Sequence, residues 1–493
     1  MKRPDFLFVA TLGALAGCNW LLGFEDEYGL YPATDAGTDT RAAPQVDAGA
    51  PCTADTRNDE ANCGRCGNVC APNLGCNDGR CGTIVRVSAG GDFACVLRDD
   101  GRVQCWGDNL AGQLAEEPGN HRAKPRTVDI GVNSFKSIAT GIDFACGTVD
   151  WHDKAIHPSN VVCWGSNASQ QLGHPRGTEG DIPEVDQRCT PPERGRFVAC
   201  NWVPTEIQVP ERVFAHAVAT GYDAACAVGD GGTFCWGSNI YGQRGIPEED
   251  AGALANRVSG KGTYDALAFS LGSEARVCAR DADGGLAQCW GSPRGPLGDG
   301  HAMQDMRVST PVTVRTDPST ALAGIRELVT LRHSSCALAR DGLFCWGLPD
   351  TGLFGADAGD KYVFATPGPK NLPPIAKVSA SDGHVCAIDM DGKVWCWGLN
   401  GAGQLGRGHA NGDKACSPQR CELSPKAIAN FDAVDISTGL EFTVALRADG
   451  TVWTWGSNRA DKLARPDDPT VDPHECFDSK PCSPTPRPVV GIE

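Results

Sequence analysis

The chain repeats one pattern seven times: an apolar strand, a tight turn, and a second strand that ends in Trp-Gly. Two copies read VSASDGHVCAIDMDGKVWCWGLNGAGQLG from residue 378 and ISTGLEFTVALRADGTVWTWGSNRADKL from residue 436. Trp106, Trp164, Trp236, Trp290, Trp346, Trp397 and Trp455 mark the register, at spacings of 58, 72, 54, 56, 51 and 58 residues. Asp391-Gly392 and Asp449-Gly450, set between β-forming runs, are hairpin turns. Hairpin units recurring every roughly fifty residues point to propeller blades before any other closed β design. The fold class expected is all-β, a seven-bladed β-propeller, and 61 Gly with 33 Pro agree with many strands and turns.

Twelve cysteines flank the hairpin turns in pairs: Cys95/Cys105, Cys146/Cys163, Cys226/Cys235, Cys278/Cys289, Cys336/Cys345 and Cys386/Cys396. Residues opposed across an antiparallel pair stand roughly 4.5–5.5 Å apart at Cα, within the span of a disulfide. The seventh copy replaces both positions at once, with Val444 and Thr454. A lone cysteine there would be a hazard, so their joint loss is what bonded pairs predict.

The first residues set the compartment. Lys2 and Arg3 precede an uncharged apolar stretch from Phe6 to Gly17, too short to span a bilayer as a helix and typical of a secretion signal. It ends in Leu15-Ala16-Gly17-Cys18, which resembles the lipobox of bacterial lipoproteins. That resemblance implies a signal peptide over residues 1–17, acylation of Cys18 and, with Asn19 following, the outer membrane. Several acyl chains on one residue suffice for stable anchoring where one does not. Residues 18–51 form an acidic linker rich in Ala, Asp, Gly and Pro, expected to be a disordered tether of about 35 Å.

Of 25 cysteines, setting Cys18 aside leaves an even number, as disulfides in an exported chain require. Beyond the hairpin pairs these include Cys189 with Cys200, Cys416 with Cys421, and Cys476 with Cys482. The other six, Cys52, Cys63, Cys66, Cys70, Cys76 and Cys81, fall in a module over residues 52–82. The spacing of Cys63, Cys66 and Cys70 is also that of metal ligands. Without a histidine in the segment, a disulfide knot is the expectation, with its connectivity open among 15. The knot resembles the NCGxCGNxC modules of envelope proteins from predatory soil bacteria of the myxobacterial type.

Residues 83–493 make up the propeller. Their strand, Asp-Gly turn and WGxNxxGQLG pattern resembles the regulator-of-chromosome-condensation (RCC-type) repeat family, from about residue 84 onward. Departures are local: a lengthened second hairpin from Asp150 to Asn160, Gly295-Pro296-Leu297 in the fourth copy, and Ala460-Asp461-Lys462 in the seventh. A Pro-x-x-Val strand precedes each later repeat, and TPRPVVGIE supplies one with no repeat after it. Pro486 to Ile492 is therefore expected to pair into the blade begun by Ile84 to Ala89 and close the ring.

Candidate chemistry is sparse. Asp100, Asp283, Asp341, Asp391 and Asp449 sit at turns, where Asp before Gly has a conformational reason to be. Two residues before each strand cysteine, or before Val444 in the seventh copy, stand Phe93, Phe144, Ala224, Arg276, Ser334, His384 and Phe442, so no ring of histidines is expected. No HxH, HExxH or phosphate-loop spacing occurs. Catalytic, metal and cofactor sites are accordingly expected to be none. A formal charge of −17 with no basic cluster argues against a nucleic-acid partner. Three insertions, at 174–203, 407–423 and 464–483, share one place in the repeat and each carries a leftover cysteine pair. The expectation is a lipid-anchored envelope scaffold that binds a protein or glycan through these loops. An enzyme acting on envelope polysaccharide is the rival class, and guanine-nucleotide exchange is what the resemblance alone implies.

Overall fold

The computed structural model describes residues 76–77, 80–81 and 83–492, apart from 132, 152–154, 176–198, 248–251, 260–262, 293, 303–306, 349–353, 355–361, 411–413, 417–418, 466–475 and 477–480. Two units are present, Met1–Pro51 and Cys52–Glu493, and every described residue lies in the second. The signal peptide, Cys18, the linker, Cys52, Cys63, Cys66 and Cys70 lie outside the described residues. In the cysteine module, Cys76–Asn77 pairs antiparallel with Arg80–Cys81.

Seven sheets follow, each of consecutive antiparallel strands; blade 1 consists of Ile84–Ala89, Phe93–Arg98, Val103–Gly107 and Arg122–Thr127. Blade 6 has a fifth strand, Lys414–Cys416, on its outer edge. The first strands of the blades touch one another in sequence around the ring, ending with Asp435–Gly439 of blade 7 against Ile84–Ala89 of blade 1. They therefore line the axis.

The ring does not close as the sequence suggested. The last strand, Cys482–Pro488, pairs with Val452–Ser457 of its own blade, and no strand is exchanged between blades 7 and 1. The reason lies in what the Pro-x-x-Val segments are: each is the outer strand of the blade before it. Pro125, Pro204, Pro311 and Pro425 sit where these strands slip register, a place where a missing N–H breaks no ladder bond. Val489 N–H bonds Val452 O in blade 7 just as Val128 N–H bonds Val103 O in blade 1. Prolines and charges then shield each rim edge, so no exchange is needed for that purpose.

Closure comes from side chains. Val87 N–H donates to Asp435 Oδ2 at 2.9 Å and Ala89 N–H to Ser437 Oγ at 3.0 Å. Val378 N–H donates to Glu327 Oε2 at 2.8 Å and Thr438 N–H to Ser379 Oγ at 3.0 Å, so the closing joint is built like the others. All seven repeat tryptophans are fully buried between blades. Trp164, Trp236, Trp290 and Trp455 donate their indole N–H to the backbone oxygen of Gln113, Gln171, Gln243 and Gln404 in the preceding blade, at 2.9–3.0 Å. Trp106 does the same to Lys462 O at 3.1 Å, across the closing joint.

Within the hairpins, Cys95, Cys146, Cys226, Cys278, Cys336 and Cys386 are directly opposite Cys105, Cys163, Cys235, Cys289, Cys345 and Cys396 and bonded to them, with Cα separations of 4.1–4.2 Å. Val444 and Thr454 hold the same opposed positions in blade 7, both fully buried, and Thr454 Oγ1 donates to Leu463 O at 2.8 Å.

Candidate functional site: the loop face

Strands alternate in direction, so the connections between first and second strands and between third and fourth strands all leave the ring on one face. Call this the loop face; the Asp-Gly hairpins and the blade-to-blade crossings lie on the other, the hairpin face. The insertions at 174–203, 407–423 and 464–483 lead from the third to the fourth strands of blades 2, 6 and 7, their last residues already belonging to the fourth strands Cys200–Glu206, Gln419–Asp432 and Cys482–Pro488, so all three leave the ring on the loop face. Cys476 is bonded to Cys482, and Cys200 and Cys421 are each disulfide-bonded. Cys189 and the side chain of Cys416 lie outside the described residues. The chain enters blade 1 on the hairpin face, where Thr83 N–H and Oγ1 donate to Asp99 at 2.9 and 2.8 Å.

The loop face is rigid because the WGxNxxGQLG turn satisfies its own backbone. Asn109, Asn167, Asn239, Asn400 and Asn458 are all buried. Each accepts from the N–H five residues on, as Leu114 N–H to Asn109 Oδ1 at 3.1 Å and Leu405 N–H to Asn400 Oδ1 at 3.2 Å. Gln113, Gln171, Gln243 and Gln404 accept from the N–H two residues back at 2.7–2.9 Å. Sequence reasoning treated these residues as a signature only. Their fixed offset from Trp in five copies was the available signal for a structural duty.

Departures from the motif change the wiring. Arg276 of blade 4 is buried and donates to Gly295 O at 2.6 Å and Pro296 O at 3.3 Å, occupying the carbonyl that a tryptophan takes elsewhere. Trp346 of the next blade finds no acceptor for its indole N–H among the described residues. In blade 7, Lys462 stands where other blades have Gln; its buried ammonium donates to Asp92 Oδ1 at 2.8 Å and Leu440 O at 2.7 Å. His384 is buried with Nε2 at 2.9 Å from Thr443 Oγ1. Burial first, then the Lys462 charge, pushes its pKa down to about 3, so it is neutral. None of the turn carboxylates Asp100, Asp283, Asp341, Asp391 and Asp449 reaches the loop face; Asp449, for one, holds its own turn by accepting from Thr451 N–H and Oγ1 at 3.0 and 2.6 Å.

Among the described residues, three carboxyl groups gather on the loop face over blades 1 to 3. Asp143 and Asp223 lie in first-to-second connections, and Asp108 follows Trp106-Gly107. Burial, then the neighbouring charges of Asp108 and Asp223, raises Asp143 to about 7 against the hydrogen bond from Ser166. Burial raises Asp223 too. Beside them Tyr222 and Ile240 are 41% and 68% exposed, apolar surface that blade packing leaves uncovered. Among the described residues no three His, Cys, Asp or Glu side chains form a metal-sized group.

A pH dependence follows. Between pH 3.8 and about 7 the folded state keeps a proton on Asp143 that the unfolded chain has released, so this group's contribution to stability is lost as pH rises through that window. Asp143→Asn is expected to raise the melting midpoint at pH 8 by more than it does at pH 5. Equal shifts at both pH values would show that the carboxyl is ionised throughout. His384 acts with the opposite sign: its contribution is lost as pH falls below 6.5.

The model of the regulator of chromosome condensation (RCC1) repeat matches residues 84–113, 375–404 and 433–460, and a second model of that repeat matches 391–446. RCC1 repeats are thus present, on a seven-bladed propeller. The ultraviolet-B receptor UVR8 of Arabidopsis thaliana is 24% identical over 380 residues, 76% of this chain and 77% of that protein. The E3 ubiquitin-protein ligase HERC2 of mouse is 26% identical over 328 residues, and the chain spans only 6% of that ligase's length. Among solved structures, human WBSCR16 superposes with a TM-score of 0.59 at 17% identity, covering 74% of this chain and 87% of that one. Yeast RCC1 (Prp20), solved with Kap60 bound, gives 0.58 at 17% identity, covering 78% and 83%. At such identities the likeness is one of fold.

Proposed function

We propose that this chain, a ring of RCC1 repeats, is a lipid-anchored binding scaffold of the bacterial cell envelope, tethered through Cys18 and engaging a protein partner with its loop face. The observation that carries the proposal is directional. The three inserted loops leave from one face, while Thr83 enters on the opposite one. RCC1-like propellers typically mediate protein interaction, and stapled loops on a rigid ring lose little freedom on binding. A protein is favoured over a glycan by Tyr222 and Ile240, which offer apolar anchors beside Asp108, Asp143 and Asp223. Guanine-nucleotide exchange is left aside, because an exported chain shares no compartment with a nuclear GTPase.

Replacing residues 176–198, 411–418 and 466–480 by short turns, with the strand residues from 200, 421 and 482 onward kept and Cys200, Cys421 and Cys482 changed to Ala so that no lone thiol remains, is expected to abolish partner binding while the melting midpoint changes little. Binding that survives intact would sink the proposal. Independently, Cys18→Ala is expected to move the protein from the membrane fraction to the soluble one; retention in the membrane would contradict the anchor.

A further inference from the structure

On the hairpin face, away from the loops, a groove of about 700 Å³ lies between blades 5 and 6. One wall is the blade-5 hairpin around Arg340 to Phe344. The other is the crossing to blade 6, Pro367-Gly-Pro-Lys-Asn-Leu-Pro-Pro, and Met390 of the blade-6 hairpin stands at its end. We propose that this groove binds an amphipathic anion, a carboxylate or phosphate head carried on an unbranched apolar chain.

Three features converge on that chemistry. The lining carries apolar surface beside polar groups: Leu338 and Leu343 are buried beneath it, and Met390 is 56% exposed at its end. Charge of the opposite sign to the protein as a whole collects there. Arg326 and Arg340 both line the groove, beside Asp341, in a chain of formal charge −17. Arg326 is aimed by a bond from Nη2 to Ile375 O at 3.2 Å, and the Arg340 guanidinium makes no bond among the described residues. Such a cationic recess in an acidic surface concentrates anions. The proline-rich wall is pre-set in φ and seated on the blade, since a Cβ on Gly368 would meet Leu343 O at 3.2 Å. A ligand therefore finds the groove formed, and its volume is that of a small-molecule site. A neutral apolar ligand would leave the Arg340 guanidinium unmet, and a bare anion would leave the apolar walls wet. Only a molecule with both parts uses both.

Titration calorimetry on the full chain tests this with decanoate and decyl phosphate below their micelle concentrations, and decanol and butyrate as controls. Saturable binding is expected for at least one of the two anions, about tenfold or more tighter than either control, as one charge-assisted hydrogen bond supports. Which anion binds tighter tells a carboxylate source from a phosphate source. Arg340→Ala is expected to weaken binding about tenfold and Arg340→Lys less. Met390→Asp, at an exposed side chain, is expected to weaken it as well, and serves if Arg340→Ala disturbs the fold. Decanol binding as tightly as the anions, no saturable heat with either anion, or binding unchanged by all three substitutions would overturn the proposal.

Discussion

Reducing the six hairpin disulfides is expected to unfold the propeller. Each closes a loop of 9 to 17 residues and is worth roughly 2–3 kcal/mol. Six of them together rival the roughly 5–15 kcal/mol by which whole domains are stable. All twelve sulfurs are fully buried, so a reductant reaches them only through opening of the blades. Urea unfolding with and without reductant, followed by circular dichroism, is the suitable measurement: the reduced midpoint is expected far below the oxidised one. Coincident midpoints would mean that the bonds contribute nothing. The paired change Cys386→Val with Cys396→Thr copies the blade-7 solution and is expected to cost about one disulfide, roughly 2–3 kcal/mol, with the fold kept.

Trp106→Ala is expected to cost about 3–5 kcal/mol, as the loss of a fully buried aromatic side chain does. It removes the wedge between blades 7 and 1 and orphans Lys462 O, whose bond from the indole spans the closing joint. No exchanged strand backs this joint up. The control is Trp346→Phe. There the lost indole N–H has no acceptor among the described residues, so its removal relieves an unmet donor, and the cost is expected to be well below that of Trp106→Phe. Equal losses from the two Phe variants in denaturant titrations would contradict the assignment of the Trp106 bond.

Much of this was legible in the sequence because the repeat states it seven times. The tryptophan register gave the blades, and the paired loss of cysteine at Val444 and Thr454 foretold residues opposed across a hairpin. Closure was not legible, for a physical reason. A Pro-x-x-Val strand has the same pattern whether it pairs with the strand before it or with a distant edge, and only the shared position of proline in the register slip shows that it belongs to its own blade. Ala460-Asp461-Lys462 stood out only as a local departure from the motif, whereas the Lys462 backbone carbonyl still serves Trp106 and its ammonium serves the joint through Asp92. Side-chain substitutions that keep a backbone bond leave no mark on a motif. The acidic arc of Asp108, Asp143 and Asp223 was also hidden, because three residues from three blades meet only once the ring is closed.

Recognition is assigned to the loop face. A photo-activatable residue placed at Tyr222 or Ile240 on that face, and separately at Val85 or Met390 on the hairpin face, tests this in the native cell. All four side chains are 41–68% exposed, so each can carry the probe without disturbing the core. The account predicts that one and the same protein is cross-linked from Tyr222 and Ile240 and from neither Val85 nor Met390. A partner captured from Val85 or Met390 instead would contradict it.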